Sequence, residues 1–366
     1  QIYERSVGMK RIVISILTAA VLIFAMASCG QKQDSGSNSD MTCEVAMIAE
    51  DRKTDDTSFT QTAWKSVEGF AEEKGVTAKL YKPDDASEEA YLSAVKKAAD
   101  DGAGMIVMAG SGFAQAVYSA QSAYPDTDFL LIDGVPHDDS SNYATAGNTV
   151  SVIFAEEEAG YMAGYAAVKD GYTKLGFIGG QALPEIKRYG YGFVQGAAAA
   201  AAETETKVEI DYRYAGASEG SDDVQKLAAQ WYDGGTEVIF ACGGSVSSSV
   251  IKAAEKAGGK VIGADFDQSG LSETVITSAC KDTDTAVTKV LRSYEDGTFA
   301  GGTAFNYAAR NNGVSLEMKN SRFRTFSEAD YKKLFSQLKN EKVELKKDTA
   351  VKSVSELAGE WVTLRE

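Results

Sequence analysis

Carboxylates, small glycine turns and one lysine recur at the same kind of place in this 366-residue chain, directly after short apolar runs. The set is Glu50 and Asp51, Gly110-Ser111-Gly112, Asp133, Gly179-Gly180, Gly243-Gly244, Asp265 with Asp267, and Lys281. An ionised aspartate only accepts hydrogen bonds, and its two oxygens can take both hydroxyls of a diol. The set therefore suits a neutral, hydroxyl-rich ligand, with each charge-assisted bond contributing roughly 1.5–3 kcal/mol. Taken singly, a strand-end aspartate serves equally well as a loop or capping group. Phe59 follows Asp55-Asp56-Thr57-Ser58, a capping-type cluster, and opens a helix. Its ring either stacks on a flat group in a cleft or anchors the helix in a core.

Other chemistries fit poorly. The chain has one histidine, His137, in the loop Val135-Pro136-His137-Asp138-Asp139, so a Ser-His-Asp triad would rest on that single residue. Gly110-Ser111-Gly112-Phe113-Ala114-Gln115 resembles a dinucleotide turn, but glutamine stands at the third glycine position and the turn follows a third strand. The acid pairs at 55–56, 84–85, 100–101 and 138–139 lack the spacing of a calcium loop. No cofactor and no metal are expected. Four cysteines exclude a disulfide framework; Cys242 and Cys280 both end predicted strands and read as buried free thiols rather than a pair.

Strand–helix alternation must position the set. Strands are expected at 44–49, 78–81, 105–109 and 129–133, then at 174–179, 208–212, 237–242, 260–264 and 275–280. Helix-length segments at 59–74, 88–100, 114–124, 155–169, 184–202, 221–233 and 246–257 lie between them. Such alternation implies βα units and parallel sheets, with ligands beyond the carboxyl ends of the strands. The two series read as two doubly wound lobes, and 104–112 echoes 236–245 as strand, small residues and helix start. The last third, with a strand at 304–308 and a helix at 328–339, reads as crossover and packing material.

The N-terminal region reads as an export signal. Residues 12–27 are apolar except for Ser15 and Thr18, lie behind Lys10-Arg11, and are too few for a membrane span. Residues 1–8, ahead of Met9, look like an over-long start. Met26-Ala27-Ser28-Cys29 offers small residues before a cysteine, as lipoprotein processing requires, so Cys29 is the expected lipidation site. Polar, Ser/Gly-rich residues 31–40 suit a flexible tether. The expected organisation is a signal peptide at 1–28 and a tether at 29–41. An N-terminal lobe would use 42–152 plus about 283–310, and a C-terminal lobe 153–282 plus about 311–366. Beyond the leader, 34 basic side chains face 52 acidic ones, a sign that argues against nucleic acid as a partner.

At these residues the chain resembles the basic membrane protein family of solute-binding lipoproteins, which includes purine-nucleoside receptors of ABC importers. The matching stretches are Asp55–Phe59 with Gln61 and Trp64, 129–133, 158–164, 176–180 with Pro184, 191–196, 238–244, 262–268 and 275–281. The resemblance implies a type I periplasmic-binding-protein fold, with two lobes joined by crossover strands and closing on ligand. It implies that Phe59 stacks on the base, that Asp133, Asp265 and Lys281 hold the ribose beside Gly243 or Gly244, and that Glu50, next to Asp51, reads the base edge. It further implies a nucleoside ligand with purine as the expected base, ABC permease and ATPase partners, a lipid-anchored position facing outside the cytoplasm, a monomer, and no enzymatic activity. The chain departs from the family pattern twice. Thr60 stands where the family carries asparagine, and 215–219 lacks the second stacking aromatic, so Tyr214 or Tyr189 is a candidate substitute. The rival readings are a receptor for another polar small molecule such as a sugar, or a nucleoside-processing enzyme.

Overall fold

Strands buried on both faces need nearly unbroken apolar side chains, and the chain supplies these at regular intervals. The computed structural model describes residues 43–50 and 59–366. The leader, the tether, Cys29, Asp51 and the 55–58 cluster lie outside the described residues.

The first sheet is built from β1 (Val45–Ile48), β2 (Ala78–Tyr81), β3 (Met105–Ala109), β4 (Asp128–Ile132) and β5 (Thr149–Phe154). Helices α1 (Phe59–Lys74), α2 (Glu88–Asp100) and α3 (Ala114–Ala123) connect the first four strands. Helix α4 (Glu156–Lys169) then carries the chain to the second sheet. That sheet holds β6 (Lys174–Gly179), β7 (Val208–Tyr214), β8 (Val238–Cys242), β9 (Lys260–Asp265) and β10 (Val275–Lys281), connected by α5 (Pro184–Glu203), α6 (Asp222–Asp233) and α7 (Val246–Ala257). Helix α8 (Thr283–Glu295) returns to the first sheet and delivers β11 (Thr303–Tyr307). The chain crosses again to β12 (Val314–Leu316), α9 (Glu328–Lys339) and β13 (Val362–Arg365).

The two sheets are wound alike. Their orders are β11-β5-β4-β3-β1-β2 and β12-β10-β9-β8-β6-β7-β13. Within both, the second strand of the series lies outside the first and the next strands run the other way, so the order reverses beside β1 and β6; β13 adds an edge beyond β7. The echo between 104–112 and 236–245 is this repeat: β3 and β8 hold the same place in their sheets, and each is wholly buried. All pairings are parallel except β10 with β12.

Four elements differ from the sequence reading. Strand β5 was not expected because Thr149 and Ser151 interrupt its apolar run, yet both are fully buried. Helix α8 is polar outside Ala286, Val287, Val290 and Leu291, which supply its buried face. It lies against α1, with Lys74–Glu295 at 2.6 Å and Arg292–Glu73 at 2.7 Å. The edge strands β12 and β13, of three and four residues, are too short to carry a pattern.

Helices α4 and α5 pack backbone to backbone. A Cβ on Gly160 would overlap the carbonyl oxygen of Tyr189, and one on Gly192 would overlap that of Glu157. Glycine at these positions lets the N-terminal turns of two long helices meet, and both turns carry charge into the region between the sheets.

Candidate functional site

A lysine ammonium in a protein interior is stable only when carboxylates surround it. Lys281, the last residue of β10, satisfies that condition from three elements. Its Nζ lies 2.7 Å from Asp133 Oδ2, 3.2 Å from Glu156 Oε1 and 3.3 Å from Asp265 Oδ1. Asp133 follows β4 of the first sheet, Asp265 ends β9 of the second, and Glu156 opens α4 between them. The rings of Phe59, Tyr189 and Phe154 box the same ammonium at 4.7, 5.4 and 5.5 Å, close enough for cation–π attraction.

Both aspartates hold left-handed backbone, with φ 63° at Asp133 and 68° at Asp265. Aspartate tolerates this region better than most residues, but it still costs on the order of 1 kcal/mol or more, and such outliers cluster at ligand sites. The kink turns each carboxylate out of its strand direction toward Lys281. The Tyr189 hydroxyl donates to Asp265 Oδ1 at 3.1 Å and to the Ala279 carbonyl at 3.2 Å, fixing one aspartate oxygen. Asp133 Oδ1 has no hydrogen-bond partner among the described residues.

Two cations, Lys281 and Arg188, face four acids: Asp133, Glu156, Asp265 and Glu185. Arg188 Nε donates to Glu156 Oε2 at 2.6 Å. Burial works against the charge on Lys281, but the carboxylates outweigh it and hold its pKa well above the ordinary lysine value. Burial likewise works against Glu156, yet Lys281 and Arg188 keep its pKa below the usual value. Asp133 and Glu185 are left with the deficit. Burial pushes each up to about 7, with the neighbouring acids adding to it and Lys281 opposing it. Ser111 Oγ, just beyond β3, reaches across to α5 and donates to Glu185 Oε1 at 2.9 Å.

Of these groups Phe59, Asp133, Glu185, Asp265 and Lys281 line a cavity of about 60 Å³ between the strand ends of the two sheets. A profile described as ABC transporter substrate-binding protein, PnrA-like, matches residues 43–354. The chain belongs to this family. It is thus a substrate-binding protein of an ABC transporter and not an enzyme. The chain is 28% identical to the ABC transporter nucleoside-binding protein BmpA of Lactococcus lactis, over 85% of this chain and 92% of that one. It is 27% identical to basic membrane protein A1 of Borrelia garinii, over 92% and 96%. Among solved structures, a solute-binding protein of an ABC transporter system from Aeropyrum pernix aligns with TM-score 0.68 and 22% identity, covering 88% of this chain and 87% of the other. One from Conexibacter woesei aligns with TM-score 0.66 and 20% identity, covering 83% and 99%. At that identity the likeness carries the fold: the type I periplasmic-binding architecture of two parallel-sheet lobes.

Within this PnrA-like chain, the cavity brings together Glu50, Phe59, Asp133, Gly243, Gly244, Asp265 and Lys281 from the residues singled out in sequence. Gly110 joins them with φ 137°, and a Cβ there would press on Glu50 Oε1, so glycine leaves room for that carboxylate. Other residues from the strand-end set stay outside the lining. Asp267 accepts from the Ser269 N–H and from Asn320, a local loop role. Gly180 braces the second sheet, its N–H donating to the Cys242 carbonyl. Neither Tyr189 nor Tyr214 supplies an aromatic wall opposite Phe59. Tyr189 is fully buried with its hydroxyl committed to Asp265, and the Tyr214 hydroxyl pairs with that of Tyr212 at 2.7 Å. Leu183, Ile186 and Ser218 form that side instead. Cys43, Cys242 and Cys280 are free thiols.

Sequence reasoning missed Glu156, Glu185 and Arg188. Glu156 heads the run Glu156-Glu157-Glu158, which reads as ordinary first-turn acids. Glu185 follows Pro184 at the start of α5, and its signal was positional: that helix leaves the carboxyl end of β6, where the strand-end rule places ligand groups.

Proposed function

We propose that this protein captures a nucleoside, purine before pyrimidine, between its two sheets and hands it to an ABC permease and its ATPase. The observation that carries the reading is the convergence of Asp133 and Asp265, one from each sheet, on Lys281 beside a single aromatic ring. Two carboxylates held by one lysine suit a ribose diol, and the Phe59 face suits a flat base. Gly243 and Gly244 leave backbone room beside the sugar, and Glu50, with Asp51 next to it, lies where a base edge would sit. The Lactococcus lactis relative, named for nucleoside binding, supports the same ligand class.

In this reading the lobes are 42–152 plus about 283–310 and 153–282 plus about 311–366, a division the two sheets support except at Ile153 and Phe154, which end β5 of the first sheet. A cavity of about 60 Å³ is below the ~300–1,000 Å³ usual for small-molecule sites, so ligand entry requires the lobes to part. Cys29 carries the lipid that holds the monomeric protein at the outer face of the membrane. Among the described residues no helix is long and apolar enough to cross a membrane.

Native mass spectrometry of the purified protein tests the ligand class. A co-purified mass equal to a nucleoside, retained on incubation with inosine and without release of ribose, is the expected result. A second reading, a receptor for a sugar or another polyol, draws on the apolar Leu183 and Ile186 wall, where a second stacking ring is missing. A co-purified hexose or pentose would favour it.

A further inference from the structure

One acidic group at the cavity has no task in holding the sugar. Glu185 is 6% exposed, lines the cavity with Phe59 and Glu50, and comes from the N-terminal turn of α5. Its Oε1 takes the Ser111 hydroxyl hydrogen, while its Oε2 is buried with no hydrogen-bond partner among the described residues. Leaving a carboxylate oxygen buried and unpaired is costly, and such an atom is satisfied when a donor arrives. The ammonium of Lys281 is already shared among Asp133, Glu156 and Asp265, and Arg188 is committed to Glu156. Among the described residues no side-chain cation is hydrogen-bonded to Glu185. Of the three acids that face the lysine, Asp133 and Asp265 line the cavity, so the donors of a ribose fall to them. What remains of a nucleoside is the base, whose edge carries N–H groups.

Resting on the nucleoside reading above, we propose that Glu185 is a base-reading residue whose Oε2 accepts an N–H from the edge of the bound base. A site built to take that hydrogen rejects an analogue lacking it, because the carboxylate oxygen is again left unpaired. The ligand class narrows accordingly to nucleosides with a donor on the base edge. The Ser111 contact joins the two halves of the site through the same side chain, so Ser111 orients the carboxylate that reads the base.

The test is calorimetry on the full-length protein with two donor-blocked pairs, inosine against 1-methylinosine and adenosine against N6,N6-dimethyladenosine. Wild type is expected to favour the unblocked member of at least one pair by about tenfold or more. That preference should shrink by about tenfold in Glu185→Leu, and in Glu185→Gln should fall between the two. Ser111→Ala, which removes the hydroxyl that orients the carboxylate, should shrink the preference by less than Glu185→Leu does. Circular dichroism checks folding, and Glu185→Gln serves if the leucine variant does not fold. Equal preferences in wild type and the Glu185 variants, with nucleosides still binding, would overturn the proposal alone. Absence of binding by all four nucleosides would overturn the nucleoside reading beneath it.

Discussion

Asp133, buried, and Asp265, half-buried, both hold left-handed backbone and face one cation, and each has a measurable consequence. Replacing either by alanine removes an acceptor for a sugar hydroxyl and should cost roughly 1.5–3 kcal/mol of binding, about 10- to 150-fold in Kd. Calorimetry with a tight-binding nucleoside reads this directly. The same cluster sets a pH dependence in the ligand-free protein. Asp133 and Glu185 hold protons up to about pH 7 in the folded chain, whereas unfolded carboxyls release them at about pH 4. Between those limits the folded state binds more protons than the unfolded one, so stability falls as pH rises from about 4 to 7 and levels off above. Urea unfolding at pH 5, 6, 7 and 8 should show this decline, and Glu185→Gln should reduce its slope. A stability that rises across that window would contradict the assignment of protons to these two groups.

Among the elements, α4 and α5 matter most, because their first two turns carry Glu156, Glu185, Arg188 and Tyr189. Valine at Gly192 would meet the Glu157 carbonyl and force the helices apart. The expected cost is about 1–3 kcal/mol of stability from overpacking, with nucleoside affinity lowered as the Arg188–Glu156 pair is displaced. Thermal melting and calorimetry on Gly192→Val check both. The glycines of 158–164 and 191–196 carry part of the family resemblance in the sequence, and their work is this packing rather than contact with ligand. Strands such as 105–109 and 174–179 were legible because both faces are buried and the apolar run is unbroken. Strand β5 was not, since buried Thr149 and Ser151 mimic the polarity of a loop. Helix α8 was hidden by its charged outer face. The strand-end rule found Asp133, Asp265, Lys281 and the glycines, because it depends on topology alone. It passed over Glu185, which lines the same cavity from a helix start, and the Glu156–Arg188 pair behind Lys281, because acids are ordinary at helix starts.

The whole molecule is two similarly wound sheets whose reversal points face one cavity, joined by α4, α8 and the β11–β12 crossing. If ligand is captured between the lobes as proposed, a site assembled from both sheets would make ligand affinity and lobe closure one equilibrium. If Cys29 bears the lipid, Cys29→Ala should leave the protein unprocessed or released, and metabolic labelling with a fatty-acid analogue should lose its signal; equal label on both proteins would remove the anchor. We propose that two aspartates and a lysine hold a ribose while Phe59 and Glu185 hold its base. The most direct test of this proposal is calorimetry of the purified protein with a purine nucleoside, the matching free base, and ribose alone. The nucleoside should bind at least about tenfold more tightly than either fragment, since each fragment engages only half the site. A free base that binds as tightly as its nucleoside would remove Asp133, Asp265 and Lys281 from the ligand, and the account with them.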